Sequence, residues 1–246
     1  MNYMGYCRGA SSVYDEWAEI SGNEGLRWES LLEDFKATAH YQPASLNYNP
    51  SVDRGAYGHG PLEVTAQPFN SHIGLKYAAA LQEVLDIDEV DVNDGNGIGV
   101  TTGTGTVLSS NRTRHYALPA YGWQMANRPN VDIIPNAMAT RINFAGQRAT
   151  SIDYAVNGKI HHSIAAKEVI VSAGAFNTPK LLMLSGVGPK AHLEDLGIPV
   201  VADIPHIGQN LYDHHFSVLE YQVTREVTTA WQLTENATYA AIAEEE

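Results

Sequence analysis

A turn of three small residues is the part of the sequence best suited to binding a nucleotide. The residues Ala-Gly-Ala at 173–175 follow the apolar run Val169–Val171, and their small size would let a ligand approach the backbone closely. The apolar run predicts a strand buried on both faces. Pro179, with Asn177 or Thr178 before it as a cap, predicts a helix directly behind the turn. A strand, a tight turn and a helix N-terminus in this order are typical of nucleotide-binding sites.

Histidines are the other residues that could do chemistry, and they predict neither a metal site nor a catalytic base. His161 and His162 lie in a predicted hairpin, where consecutive side chains point to opposite faces, and further metal ligands are not evident nearby. His214 and His215 invite a general-base role, but we interpret both as structural. His59 lies in a polar loop and is interpreted as solvated.

Three glycine-containing stretches match ligand loops in part but lack the required context. Asp91–Gly95 has a glycine where a calcium loop needs a side-chain ligand, and no suitable glutamate follows. Gly103–Leu108 lacks the last small residue of a dinucleotide loop. Gly186–Ala191 matches G-x-G-x-x-A, but it follows a helix rather than a strand. We therefore predict ordinary loops or helix ends at all three.

Three segments resemble the glucose–methanol–choline (GMC) family of FAD-dependent oxidoreductases. Gly174–Gly188 fits the second family signature, with a small pair, Thr-Pro, two aliphatic residues and Ser-Gly-Val-Gly at the family's spacing. Asn2–Asp15 resembles the second half of the first signature. Pro205–His214 is similar to the family segment Pro-x-Val-Gly-x-Asn-Leu-x-Asp-His. In style the sequence resembles fungal aryl-alcohol and glucose oxidase-like members.

The resemblance implies FAD as the cofactor and assigns residues to its surroundings. Residues 2–4 would lie beside the flavin ring, residue 139 would contact the adenine through its backbone, and the segment 210–213 would lie near the flavin and the substrate entrance. The cofactor-binding set that the family implies is Asn2, Tyr3, Met4, Ala139, Ala173, Gly174, Asn210 and Asp213.

The family also implies a reaction, in which a histidine takes a proton from an alcohol and the flavin takes a hydride. The family's opening G-x-G-x-x-G unit and its catalytic histidine have no counterpart in the printed sequence. We therefore expect a fragment of an FAD-dependent oxidoreductase that acts on CH–OH groups of small-molecule alcohols, with no catalytic residue assigned within it. The alternative is a non-catalytic truncated remnant that acts as a structural or interaction module. A nicotinamide-dependent dehydrogenase is disfavoured because an intact dinucleotide fingerprint is missing.

Hydrophobic periodicity predicts the elements that would position these residues. Asn157-Gly158 between two alternating runs is a strong hairpin signal. The predicted helices are 28–40, 70–84 and 190–196, and the predicted strands are 131–134, 138–144, 150–156, 159–165, 168–172 and 198–201.

The predicted fold class is α/β with mixed α+β character. It comprises a partial FAD-binding Rossmann-like domain with a β-meander, followed by the start of a substrate domain. We assign residues 1–213 to the incomplete FAD-binding region, with 41–105 contributing loops toward the substrate side. Residues 214–246 are assigned to the beginning of the substrate-binding domain.

Composition narrows the range of partners. The 246 residues carry a net charge of −13, which disfavours binding to nucleic-acid phosphates. Cys7 excludes an internal disulfide because it is the only cysteine, and no apolar run is long enough to predict a membrane span. The first ten residues do not resemble a secretory signal. The sequons at Asn111 and Asn236 would matter in a secreted full-length form, and the compartment and oligomeric state are left open.

Overall fold

The computed structural model describes residues 3–43, 48, 50–66, 71–165, 167–213, 217 and 222–224. The chain divides into two compact units between Val131 and Asp132. Both combine helices with sheets, in agreement with the predicted mixed α/β character. Most of the proposed start of a substrate domain, 214–246, lies outside the described residues and stays a prediction.

A small sheet and two packed helices form the centre of the first unit. Helices α1 (Ser11–Ser21) and α2 (Trp28–Thr38) lie against each other through aromatic rings, with Tyr14 5.6 Å from both Trp28 and Phe35 between ring centroids. The predicted helix at 28–40 is thus confirmed, although it ends at Thr38 because the chain turns there into a strand. The strands are β1 (Gly5–Tyr6), β2 (Ala39–Tyr41), β3 (Leu62–Ala66) and β4 (Thr104–Gly105), in the order β1-β4-β3-β2.

Helix α3 (His72–Leu85) begins where the sequence predicts it. The Ser71 Oγ accepts a hydrogen bond from the Gly74 N–H at 3.2 Å, which satisfies one of the free amides of the first turn. Tyr77 and Val84, on its predicted apolar face, are 62% and 79% exposed. Leu81, on the same face, is half-buried.

The chain re-enters helical structure at Leu118–Gly122, a π-helical turn that continues into the short helix α4 (Trp123–Met125). Residues 131–134 are not assigned to a strand, so the predicted strand there is wrong. Pro135 follows directly, and its missing N–H and restricted predecessor disfavour a continuing ladder.

A β-meander is the main element of the second unit, as predicted. Strands β5 (Met138–Ala145), β6 (Arg148–Val156) and β7 (Lys159–Ile164) pair antiparallel in sequence order. The hairpin between β6 and β7 is closed by Asn157 and Gly158 with φ values of 50° and 76°. Positive φ at both central residues is the geometry of a type I′ turn, which matches the twist of the paired strands.

Two helices and a pair of short strands follow the meander. Helix α5 (Gly174–Leu184) is followed by β8 (Val187–Gly188), which pairs parallel with β9 (Ala202–Asp203), and α6 (Lys190–Asp195) lies between them. The helix end predicted near Gly186 and the helix near 190–196 are confirmed. The strand predicted at 198–201 is displaced to β9.

The buried strand predicted at Val169–Val171 is wrong. The segment is not assigned to a strand, and Ile170 is 80% exposed. A strand needs neighbours that satisfy its N–H and C=O groups, and no described residue of the second unit pairs with this segment. The apolar run thus predicted a buried segment, but Ile170 is not buried by any described residue.

One buried hydroxyl joins α5 to the meander. Ser185 is 1% exposed; its Oγ donates to the Leu181 carbonyl at 2.6 Å and accepts from the Ile142 N–H of β5 at 2.8 Å. The Ile142 amide therefore finds its partner on a side chain. We infer that this residue holds the helix at a set distance from the sheet.

Replacement of that hydroxyl tests its role. Ser185→Ala leaves the buried Ile142 N–H without a partner, and we expect a loss of about 1–3 kcal/mol in the free energy of unfolding. Urea denaturation of the purified chain provides the measurement. The control Ser163→Ala removes an exposed hydroxyl of β7 and should change stability by less than about 0.5 kcal/mol. Equal effects of the two substitutions would contradict the assigned role.

The I′ turn can be tested in the same way. A Cβ added at Gly158 meets no atom within 4 Å, so Gly158→Ala should lose about 1 kcal/mol through backbone conformation alone. Asn157→Gly at the neighbouring position, where φ is also positive, should be nearly neutral or stabilising. Thermal melts of the two variants would show a lower Tm only for the first; a lower Tm for both would argue against this turn geometry.

Candidate functional site

A cavity of about 390 Å³ lies between the first strand of the meander and the helix behind the small-residue turn. Strand β5 and the residue before it supply one wall, and one side of α5 with the preceding Ala173 supplies the other. The lining consists of small, apolar and polar side chains in similar number: Ala137, Met138, Ala139, Thr140, Ala173, Asn177, Lys180, Leu181 and Leu184. The sequence-assigned residues Ala139 and Ala173 thus lie on opposite walls of one cavity.

The strand wall owes its shape to an irregularity in the sheet. Ala139 pairs with Tyr154 of β6, and the register shifts between Ala139 and Arg141. A bulge of this kind bends the strand and re-aims its side chains. The Thr140 hydroxyl donates to the Asp153 carbonyl at 3.1 Å, which holds the bulged residues against β6. Consecutive residues of β5 can therefore all reach the cavity, although a regular strand would alternate them.

The helix wall begins with the turn that the sequence singled out. Gly174 has a φ of 85°, and a Cβ added there would meet no atom within 4 Å. The Ala173 N–H donates to the Thr178 Oγ at 3.1 Å. Thr178 was expected to cap a helix that begins at Pro179, but its side chain instead bonds to the residue just before α5. The helix begins at Gly174 rather than at Pro179, and the prediction of a cap at Asn177 or Thr178 is wrong. Pro179 lies inside α5.

The first turn of α5 and one lysine make this wall electropositive. The leading amides of a helix have no intrahelical acceptor and favour negative charge nearby. Lys180 adds a formal positive charge on the same wall, and Asn177 adds an amide that can donate and accept. A flat, partly apolar group that carries an anionic substituent would find suitable contacts there. The apolar side chains Leu181 and Leu184 complete the surface for such a group.

Only Ala139 and Ala173 of the nine lining residues were assigned from the sequence, and none of the three polar ones, Thr140, Asn177 and Lys180, was expected in the lining. Asn177 and Lys180 are one turn apart on a helix that begins beside a small-residue turn, and this i, i+3 spacing was the available signal. No comparable signal existed for Thr140, because the bulge that exposes it is not encoded by a recognisable pattern.

The other assigned residues lie elsewhere. Asn210, with a φ of 55°, and Asp213 are exposed residues of the second unit and do not belong to the cavity lining. Tyr3, fully exposed, and Met4 belong to the first unit. Asn2 lies outside the described residues, as do His214 and His215. The flavin-proximal role of these positions stays a prediction.

The N-terminal segment that carries Tyr3 and Met4 is nonetheless well anchored. Met4 has a φ of 71°, which is uncommon for a residue with a side chain, and its carbonyl accepts from the Thr106 N–H at 2.7 Å. Two residues further on, β1 pairs with β4. Left-handed residues of this kind are concentrated at ligand-binding positions.

A buried polar group of the first unit lies behind this segment. Tyr57 donates its hydroxyl hydrogen to the Asp91 Oδ1 at 3.1 Å, and Asn93 donates to the Tyr57 oxygen at 3.0 Å. Burial raises the pKa of the Asp91 carboxyl, and it also raises the pKa of the Tyr57 hydroxyl. The tyrosine therefore stays neutral and serves as a hydrogen-bonding group rather than as an acid.

Among the described residues, the acidic and histidine side chains do not form a metal site. No group of three or more His, Cys, Asp or Glu side chains in that part of the chain could hold a metal ion. His162 instead lies 2.7 Å from the Asp153 carboxylate, and this hydrogen bond is the main reason why the pKa of Asp153 is below its usual range. Within the same residues, no helix has both the length and the apolar character needed to cross a bilayer.

Comparison with known proteins identifies a family that matches most of the chain. The family described as GMC oxidoreductase matches residues 1–216. The patulin synthase of Aspergillus clavatus is 34% identical over 232 residues, which cover 90% of this chain and 37% of that protein.

Solved structures agree with the sequence match. An FAD-dependent oxidoreductase from Chaetomium thermophilum aligns with a TM-score of 0.85 at 29% identity, over 99% of this chain and 43% of that one. A fungal aryl-alcohol oxidase aligns with a TM-score of 0.79 at 25% identity, over 98% and 43%.

These matches confirm the resemblance that was based on the three signature-like segments, and they confirm the predicted fold class. The chain spans less than half the length of each of these relatives. The family consists of oxidoreductases, and its N-terminal region is the part that the chain covers. With 216 of its 246 residues matched, the chain belongs to the GMC oxidoreductase family.

Proposed function

We propose that this chain forms part of an FAD-dependent oxidoreductase that oxidises CH–OH groups of small-molecule alcohols, and that it holds the adenosine half of the flavin cofactor. The observation that carries the proposal is the shared cavity of Ala139 and Ala173, two positions that the family assigns to the cofactor and that come from different elements. The relatives support the reaction class, since one is an aryl-alcohol oxidase and another is an FAD-dependent oxidoreductase.

The residues of the cavity fit the proposed group. Its volume of about 390 Å³ is within the range of roughly 300–1,000 Å³ of small-molecule sites, and it suits a nucleoside better than a complete dinucleotide. Ala139 and Ala173 leave room for a flat ring, and Gly174 leaves the backbone open to close approach. The N-terminus of α5 and Lys180 favour a phosphate nearby.

Bound FAD would supply the hydride-accepting ring, and this chain would supply position and electrostatics. In the proposal, β5 and α5 hold the adenosine half, while Tyr3 and Met4 of the first unit lie beside the flavin ring. Asn210 and Asp213 lie toward the substrate entrance. The proton-accepting histidine of the family is assigned to none of the described residues, so the chain alone is proposed to be inactive.

Retention of flavin by the isolated chain is the first test. Residues 1–246, expressed alone and desalted, should show no stoichiometric flavin band near ~450 nm and no turnover of alcohols, because they offer only part of the contacts that a flavoenzyme supplies. Added NAD should likewise have no effect. A stoichiometric flavin band after desalting would contradict the proposal that this chain supplies only part of the contacts to FAD. The alternative, a non-catalytic structural or interaction module, would be favoured if the chain folds cooperatively and shows no response to any adenosine ligand.

Weak binding to the adenosine half is the second test. AMP in millimolar excess should shift the amide NMR signals of Ala139, Thr140 and Ala173, while FMN, which lacks the adenosine half, should leave them unchanged. Ala173→Leu fills the cavity and should abolish the shifts. Ala175→Leu, an exposed position of α5 outside the lining, is the matched control and should retain them. Equal shifts with both nucleotides, or shifts confined to other residues, would contradict the assigned cleft.

A further inference from the structure

We propose that Asn93 is a positioning residue, which sets the backbone conformation of residues 3–6 through hydrogen bonds to residues 6 and 8. We call residues 3–6 the flavin-proximal segment because they contain Tyr3 and Met4. This inference rests on the proposed function, because that function places the segment beside the flavin. The loop that carries Asn93 is the same acidic, glycine-containing stretch that fails as a calcium site.

Every polar atom of this asparagine is used. Asn93 is 0% exposed; its Oδ1 accepts from the Arg8 N–H at 2.9 Å, and its Nδ2 donates to the Thr104 Oγ at 2.9 Å and to the Tyr57 oxygen at 3.0 Å. A longer contact of 3.4 Å joins its Nδ2 to the Tyr6 carbonyl. The side chain thus bonds to one donor and three acceptors, a combination that an amide provides and a carboxylate does not.

The bonds reach the flavin-proximal segment at alternate residues. The Tyr6 carbonyl receives both Asn93 and the Thr104 hydroxyl, the latter at 3.0 Å. The Met4 carbonyl receives the Thr106 N–H at 2.7 Å. Residues 4, 6 and 8 are therefore each fixed on the 93–106 stretch, with β1 and β4 pairing between them. The left-handed Met4 can persist because the bond of its own carbonyl to Thr106 and the pairing of the residues that follow it hold it in place.

The loop around Asn93 is itself held in place. Gly95 lies against the Trp28 ring so closely that an added Cβ would come within 2.7 Å of it, and its carbonyl accepts from the Ser11 N–H at 2.9 Å. The Arg8 guanidinium donates to the Ala56 carbonyl and to the Asn93 carbonyl, and lies 5.0 Å from the centre of the Tyr57 ring. Because its loop is held by these contacts, the Asn93 side chain can fix the conformation of the neighbouring strand β1.

Amide hydrogen exchange of the full 246-residue chain tests the inference. In Asn93→Ala, the amides of Arg8 and Thr106 should exchange at least about tenfold faster, while those of α2 should change less than about twofold. Thr106 is the decisive reporter because its hydrogen bond is to Met4 and not to Asn93. The matched control is Asn96→Ala, which removes an exposed amide of the same loop and should leave both reporters unchanged.

A one-atom change separates positioning from general stability. Asn93→Asp retains the acceptor for the Arg8 N–H but lacks the donor to residues 6 and 104. We expect the Thr106 amide to exchange faster while the Arg8 amide stays protected. Acceleration of both amides together with α2 would indicate only a loss of stability and would overturn the inference, as would an unchanged Thr106 amide in Asn93→Ala.

The unsubstituted chain keeps the inference testable if these variants do not fold. Across a urea series, the Arg8 and Thr106 amides should open as one unit, with the same free energy and the same urea dependence; independent opening would contradict the inference. None of these readouts uses flavin. If the two amides are coupled but the AMP experiment fails, the proposed adenosine cleft is wrong while the role of Asn93 in the segment stands.

Discussion

The need of buried backbone groups for hydrogen-bond partners governs both units of this chain. Each unit meets that need at one critical point with a single buried polar side chain. Asn93 serves the N-terminal strand of the first unit, and Ser185 serves the first meander strand of the second. Both are among the fully buried side chains of the described residues. A buried amide or hydroxyl that is fully bonded specifies position as well as stability, because a shifted neighbour would leave it unsatisfied at considerable cost.

Much of the local structure follows from the sequence. The meander was predictable because two independent signals, the period-two alternation and the Asn157-Gly158 turn, both indicate an antiparallel pair of strands. Apolar spacing marks both predicted helices that form α2 and α3, and a capping serine, Ser71, also marks the start of α3. The helix at α5 was found but not its first residue, because Gly174 can adopt a conformation that starts the helix before the proline. Local signals thus identify an element more reliably than its end.

Long-range structure was less predictable, and the two wrong strands show why. Val169–Val171 carries the hydropathy of a buried strand, but hydropathy does not encode which neighbour provides hydrogen bonds. The exposed Ile170 and the uncovered Tyr77 and Val84 of α3 are apolar surface without a partner among the described residues. Singly exposed apolar side chains are common on protein surfaces, so their exposure alone does not identify a binding patch. In the site, the family pattern identified Ala139 and Ala173, whereas Thr140 and Lys180 depended on a bulge and on helix phase.

The net charge of the chain makes the positive groups around the cavity important for any anionic ligand. A net charge of −13 opposes the approach of any phosphate-bearing ligand to the chain as a whole, although screening limits this to about 10 Å at ordinary ionic strength. Local positive potential must therefore come from groups within that distance. Lys180 lies on one wall of the cavity, and the N-terminus of the same helix, α5, also favours negative charge, so the two contribute positive potential in the same direction. Gly174 places no side chain at that helix end, and an added Cβ there would meet no atom within 4 Å.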